Sequence, residues 1–396
     1  MASDDGQVPL LERAEMPDTT PTIPKETARE IALLEREFVE AEVQALRASF
    51  PLLRPLYTRR NALIASKLAD AEFWPRVFAF ASEIEAYLLP SDEMILSECL
   101  KNFTVERISV NEAGDAGEPR DVRFTFEFDT SPERNVWFGG DGKLVKEFYW
   151  RKSIGVSEKS GRRKVWEGLV SQPVRIPWRK AEVDPTKGLL DAACNLAEAE
   201  GKAAAGKKIT PEQRLDLPEY EKLVTEVAKV EAEAGLRAER EADGDDDEDE
   251  DDHEEEGPAD VSFFAWFGYR GRDISAEESE EAMKADEEYW GKIARGEKVE
   301  GDEKEGEGDA AAGDEFEEDE DDDDEDGLMD AEIYPEGHEL AMTLGDEVWD
   351  NALKYYVQSL QAPEFGSDID FDMDGMEDDD YDDEEETDRP RKKVKT

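Results

Sequence analysis

The sequence predicts an α+β fold, and three observations carry that expectation. A heptad-like apolar repeat begins just after residue 26, strict apolar–polar alternation occupies 122–128, and helical texture returns at 333–360. Helices, then strands, then helices give segregated layers, and short loops between strands favour an antiparallel meander. The expected architecture is a long N-terminal helix, then an antiparallel sheet covered by helices, with disordered acidic segments.

Residues 1–24 are rich in Pro, Thr and Asp and read as a disordered arm. Residues 25–72 read as one long helical region, opened by a possible capping box at Thr27-x-x-Glu30. One apolar seam runs Ile31, Leu34, Phe38, Ala41, Ala45, Ala48, Leu52, and a second runs Val39, Val43, Leu46, Phe50, Leu53, Tyr57. Steps of three and four residues make each seam one face of a helix. Two seams need two partners: the chain's own domain and a second copy. The alternative is that both pack within one subunit. Pro51 and Pro55 lack the N–H a helix interior uses and clash with the preceding turn, which predicts a kink or break there.

Around Phe73, Trp74, Phe78, Ile84 and Leu88 the sequence predicts one or two helices, stopped near Pro90. Val122, Phe124, Phe126 and Phe128 alternate with Arg123, Thr125 and Glu127 as a half-buried strand does. Segments 101–110 and 143–150 also read as extended. Val174, Ile176 and Trp178 alternate as a strand, with Pro177 pointing to a sheet edge. Residues 188–260 and 291–332 read as insertions, and SFFAWF at 262–267 is too aromatic to be left in water. A helical stretch crowded with acids follows at 275–290. The domain is thus expected over 73–358 and an acidic tail over 359–396.

Charge sharpens the picture. The 396 residues carry 106 Asp+Glu against 48 Lys+Arg, a net charge of −58. Segments 241–256, 314–326 and 368–388 contain 13, 12 and 14 acids and no Lys or Arg, so the rest of the chain is only −19. Such runs self-repel and offer little to bury. Strong direct DNA binding is not expected of this charge. No segment approaches the ~20 apolar residues of a membrane span, and the start, MASDDGQVPL, lacks the texture of a secretory signal. Two cysteines, Cys99 and Cys194, make neither a disulfide framework nor a metal motif.

Signs of catalysis are weak. Gly201-x-x-x-x-Gly206-Lys207 begins like a phosphate loop, but Lys208 stands where Ser or Thr must hold magnesium. Asp370-x-Asp372-x-Asp374-Gly375 begins like a calcium loop, but Tyr381 occupies the bidentate glutamate position. Only His253 and His338 are available for a metal centre or triad. No cofactor, metal or enzymatic activity is expected. At the C-terminus, Arg391, Lys392, Lys393 and Lys395 fit a monopartite nuclear import signal, which predicts a nuclear protein, with shuttling to the cytoplasm left open.

Several segments, in order, resemble the SET/nucleosome assembly protein (NAP) family of histone chaperones, closest to its SET branch. They are Pro55-Leu56-Tyr57-x-Arg59-Arg60, Phe73-Trp74, Val122–Asp129, Trp178-Arg179-Lys180 with Thr186-Lys187, Ser262–Phe267, and Asp346-Glu347-Val348-Trp349-x-Asn351-x-Leu353-x-Tyr355-Tyr356. The motif core is Phe263, Phe264, Trp266, Phe267, Trp349, Tyr355 and Tyr356. The likeness covers 26–187, 261–272 and 333–358, about half the chain, and departs from the SET branch at Asp350, where a proline is usual.

The resemblance implies an "earmuff" domain and a homodimer through the long helix, with Ile31, Leu34, Phe38, Ala41 and Ala45 at the seam. It implies core histones as partners, H3–H4, H2A–H2B or both, with linker histone or a histone acetyltransferase as further candidates. Physically, a polyacid competes with DNA phosphate for histone cations and needs no ATP. Candidate histone-binding carboxylates are Glu277, Glu278, Glu281, Asp286, Glu339, Asp346 and Glu347. The alternatives are a phosphatase-inhibitor-like regulator and a general acidic chromatin cofactor.

Overall fold

The first helix runs without interruption from Lys25 to Lys67 (α1), 43 residues or about 65 Å at 1.5 Å per residue. The break expected at Pro51 and Pro55 is absent. The loop 111–117 braces the turn at Pro51. Its Gly114 lies at φ +73°, so close that a Cβ there would sit 2.5 Å from Pro51 Cγ and 3.0 Å from the Arg47 carbonyl. Arg47 Nε donates to the Gly117 carbonyl at 2.6 Å, and Arg54 Nη2 to the Val110 carbonyl at 3.2 Å. Tertiary contacts thus offset the hydrogen bonds that the prolines cannot donate.

The computed structural model describes residues 23–156, 163–204, 208–242, 261–297 and 328–361. Most of the N-terminal arm, the acid runs beyond Ala242, the calcium-loop look-alike and the basic cluster at 391–395 lie outside the described residues. The elements below belong to one unit ending at Ser359.

After α1 come α2 (Phe73–Phe80), a 3-10 helix (Ser82–Tyr87) and α3 (Pro90–Cys99). Pro90 does not stop a helix, as expected, but opens one. At a first helical position its missing N–H costs nothing.

Four strands follow: β1 (Leu100–Arg107), β2 (Val122–Phe128), β3 (Lys143–Val156) and β4 (Arg163–Ser171). They pair antiparallel in the order β1-β2-β3-β4, the expected meander. The register sets Phe103 opposite Phe126, Val105 opposite Phe124 and Val122 opposite Phe148. One face is therefore aromatic. SFFAWF lies on it as a 3-10 helix, Phe263–Gly268, with Trp266 5.3 Å from Phe124 and 5.2 Å from Phe148 between ring centroids. Each such pair adds about 0.5–1.5 kcal/mol beyond the area it buries.

The edge strand expected at 174–178 is not a strand. That segment is irregular, joined by a single bridge from Trp178 to Phe138, whose rings stack at 5.0 Å. The fourth strand is instead β4.

The segment expected to begin an insertion at 188 belongs partly to the core. In α4 (Leu189–Ala204), the side chains of Leu189, Leu190, Ala193 and Leu196 are buried. Beyond α5 (Pro211–Leu215), Tyr220 and Leu223 of α6 (Pro218–Ala242) join them. The second expected insertion also ends in the core, where Leu328, Ala331 and Glu332 are buried.

Buried polar groups hold these layers together. The Asp92 carboxylate of α3 accepts from Ser262 Oγ at 2.5 Å, Phe263 N at 2.7 Å and Leu89 N at 3.1 Å, which ties α3 to the start of SFFAWF. Lys146 Nζ donates to the carbonyls of Gln172, Phe267 and Tyr269 at 2.7–3.0 Å, and burial lowers its pKa to about 7. Glu200 of α4 accepts from Arg214 Nε at 2.8 Å and Arg270 Nη2 at 2.6 Å. Arg214 Nη2 also donates to Asp273 at 2.9 Å. Burial raises the Glu200 pKa, but the two arginines outweigh it and hold the carboxyl below its usual range.

The unit closes with α7 (Ala276–Ala294), α8 (Gly337–Met342), a π-helical turn (Thr343–Val348) and α9 (Ala352–Ser359), which packs on α2.

Candidate functional site

α1 separates its two seams cleanly. Val43, Leu46, Phe50, Leu53 and Tyr57 are partly buried against the unit, though Val39 at the start of that seam is exposed. Every residue of the other seam is exposed, with Ile31 at 42%, Leu34 at 53% and Phe38 at 61%, and Ala41 and Ala45 likewise. An apolar stripe of this length in water is the kind of surface that marks an interaction site.

The far end of α1 is fastened by the residues of two distant motifs. Arg60, 6% exposed, places its guanidinium 3.9 Å from the Trp349 ring centroid, and its Nη1 donates to the Trp349 carbonyl. Trp349 in turn stacks on Trp74 at 5.7 Å. Burial lowers the Arg60 pKa to about 10. Tyr57 Oη donates to Asp350 Oδ1 at 2.5 Å. Burial, and then this bond, push the Tyr57 phenol well above its ordinary range. Asp350, where the SET branch usually has proline, therefore gains an acceptor role here.

α7 sorts its acids by face. Ser279, Ala282 and Asp286, three and four residues apart, are buried against β3. Asp286 accepts from Lys152 Nζ at 2.7 Å and Arg163 Nη2 at 2.5 Å. Burial raises its pKa, but these cations hold it below the usual carboxylate range. Glu278 completes the capping box, accepting from Ser275 N at 2.8 Å, and pairs with Lys208 at 2.8 Å. Glu277, Glu281, Glu287 and Glu288 point to solvent without an ion pair among the described residues, and Glu280 pairs only with Lys284 on the same helix. Asp286 and Glu278 are thus structural ties, and the outward face is Glu277 and Glu281 with Glu280, Glu287 and Glu288. A helical wheel, rather than a count of acids, finds those three.

A second acidic face lies across α8, the π-helical turn and the 3-10 helix 82–87. Glu339 and Glu347 are exposed, and Asp346 is exposed but pairs with Arg107 of β1. Glu83, Glu85 and Glu336 add to this face. Sequence position hid them, because the 3-10 helix 82–87 and the π-helical turn come together only through tertiary packing. The motif aromatics display no surface: Phe263, Phe264, Trp266 and Phe267 are fully buried, and Trp349, Tyr355 and Tyr356 nearly so. Their role is to set the helices that carry the acids. Among the described residues no three His, Cys, Asp or Glu side chains are grouped to hold a metal, and no helix is long and apolar enough to cross a membrane.

Over 151 residues the chain is 32% identical to a Schizosaccharomyces pombe protein described as "Putative nucleosome assembly protein". The chain resembles a nucleosome assembly protein. The match takes in 38% of this chain and 56% of that relative, so the chain spans little more than half the length of the relative it matches. No family model matches. Among solved structures, Ccp1 is 18% identical with a TM-score of 0.42, covering 86% of this chain and 98% of its own. The Vps75 histone chaperone is 16% identical with a TM-score of 0.37, covering 85% and 100%. The α+β arrangement of long helix, antiparallel sheet and covering helices is the one expected of a chain that resembles nucleosome assembly proteins.

Proposed function

We propose that this chain is an ATP-independent histone chaperone of the nucleosome-assembly type, working in the nucleus as a homodimer joined by the outer seam of α1. The observation that carries the reading is the sorting of charge on α7. Cations of the fold neutralise the one buried carboxylate, while the outward carboxylates are left to face a partner. A rigid acidic surface selects basic proteins, and the acid runs add long-range attraction that speeds encounter. Core histones, rich in Lys and Arg, are the partner class. The likeness to a nucleosome assembly protein supports the same reading.

The test is a plasmid supercoiling assay with purified H2A–H2B and H3–H4, without nucleotide, at two salt concentrations. The expected result is histone deposition at the lower salt and suppression of histone–DNA aggregates. If the chain neither binds histones nor protects DNA from aggregation, the reading is wrong.

A further inference from the structure

We propose that a bowl at the C-terminal end of α1, walled by the last turn of α3 and the start of β1, takes lysine and arginine side chains from an extended basic segment of another protein. That this protein is a histone rests on the chaperone reading above; the bowl itself does not.

The bowl is a cavity of about 740 Å3. Ile64, Leu68, Phe73 and Leu100 give it an apolar floor. Its wall carries five carboxylates, Asp70, Glu72, Glu98, Glu127 and Asp129, against two cations, Lys101 and Arg134. Both cations are already engaged, Lys101 with Asp129 at 3.1 Å and Arg134 with Glu72 at 3.4 Å. Glu127 accepts from Asn102 Nδ2 at 3.2 Å. Asp70 and Glu98 are exposed and make no ion pair among the described residues. α1 ends here at Lys67 and α3 at Cys99, and residues of both last turns line the bowl. Two helix C-termini thus add their negative ends to the wall.

A separate observation asks for a donor. Asn61 of α1 lines the bowl, and its Oδ1 is buried with no hydrogen-bond partner among the described residues. Buried acceptors left unpartnered are rare, and each calls for an explanation. The residue as a whole is half-buried, so a small turn of its amide brings the oxygen to an arriving N–H.

The lining also selects the kind of cation. Among the described residues no three carboxylates are grouped to hold a metal ion, so the spacing here suits separate cationic side chains. A lysine or arginine brings an aliphatic stem, which packs on the apolar floor while its charged head reaches the wall. Asn61 and Glu127 line a second cavity too, of about 720 Å3, which continues between α1 and β1 past Thr104 and Glu106. An extended segment therefore has a path beyond the bowl, which a lone ion would leave empty.

The experiment uses the full chain with labelled isoleucine methyl groups and decalysine as probe, because a methyl on the floor reports the bowl and not the acid runs. The signal that I64V removes identifies the Ile64 Cδ1 methyl, which should shift and saturate as decalysine is added. D70N/E98Q should weaken the binding read at Ile64 roughly ten-fold, as loss of charge-assisted contacts does. The same charge change at exposed acids elsewhere, E112Q/E212Q, should cost under about two-fold, since distant exposed charges are screened. N61L removes the unpartnered oxygen at similar volume and should weaken binding about three-fold. Its thermal midpoint should stay level or rise, since the free protein loses no hydrogen bond; a lower midpoint with unchanged binding would make Asn61 structural. An Ile64 methyl unmoved at saturation, or equal losses in the two double variants, overturns the proposal. So does an Ile64 shift produced by deleting 389–396 with no probe present, since the chain's own basic end would then be the occupant. Titration with H2A–H2B and H3–H4 tests the other reading: a bowl that answers decalysine in a chain that binds neither histone pair stands as a basic-peptide site, and the chaperone assignment falls.

Discussion

Replacing Glu200 with alanine should be among the most damaging single changes in the unit. Its side chain is 7% exposed, and its two arginine partners are 1% and 10% exposed, so water can do little to repair the loss. Removing one partner from a buried ion network costs about 3–5 kcal/mol, because the remaining charges lose compensation. Arg214 keeps Asp273, which favours the lower end. At about 2–4 °C per kcal/mol for a unit of this size, the thermal midpoint by circular dichroism should fall by roughly 6–12 °C. The pH dependence gives a second reading. The folded Glu200 pKa is depressed, so its contribution is present above the unfolded value of about 4.3 and is lost as pH falls through the lower folded value. E200Q should therefore flatten the stability profile on the acid side. Replacing the whole Glu200–Arg214–Arg270 triad with apolar residues should be far milder than E200A. An E200A loss under about 1 kcal/mol, or a triple variant worse than the single, would refute the account of 189–215 as integral to the core.

Arg60→Lys keeps the charge but loses the planar stack on Trp349, and should cost about 1–2 kcal/mol in urea unfolding. G114A forces a Cβ into a left-handed position and against Pro51, and should cost about 1–2 kcal/mol or more; a neutral result would free α1 from its bracing loop. Polar substitutions at Ile31, Leu34 and Phe38 should give monomers by light scattering with secondary structure intact, since these side chains are exposed in their own unit. Deleting 368–388 removes 14 carboxylates, and should flatten the salt dependence of histone binding while leaving the oligomeric state alone.

Much of the fold was legible where periodicity and burial coincide. The seams of α1 and the alternation of β2 are single-element patterns, and the motif aromatics were correctly placed in the core. β4 escaped because half of it lies on a ribbon where both faces are partly exposed, which blurs the alternation. The burial of α4, rather than its helicity, escaped because its apolar face is confined to Leu189–Leu196, and its one buried acid is explained only by arginines 14 and 70 residues away. Pro90 was misjudged because proline ends and begins helices alike, and only its neighbours in space decide. At the candidate site the difficulty was similar. Counting acids named Asp286 and Glu278, which the fold spends on internal ties, and overlooked Glu83, exposed on a 3-10 helix that packs beside the π-helical turn.

The bracing of Pro51 by the loop at Gly114 makes the straightness of α1 a property of the whole unit. The proline-bearing turn is held by residues that lie beyond β1, with Arg47 donating to a carbonyl 70 residues downstream. The direction in which the N-terminal half of α1 leaves the sheet is therefore set by a contact between one glycine and one proline.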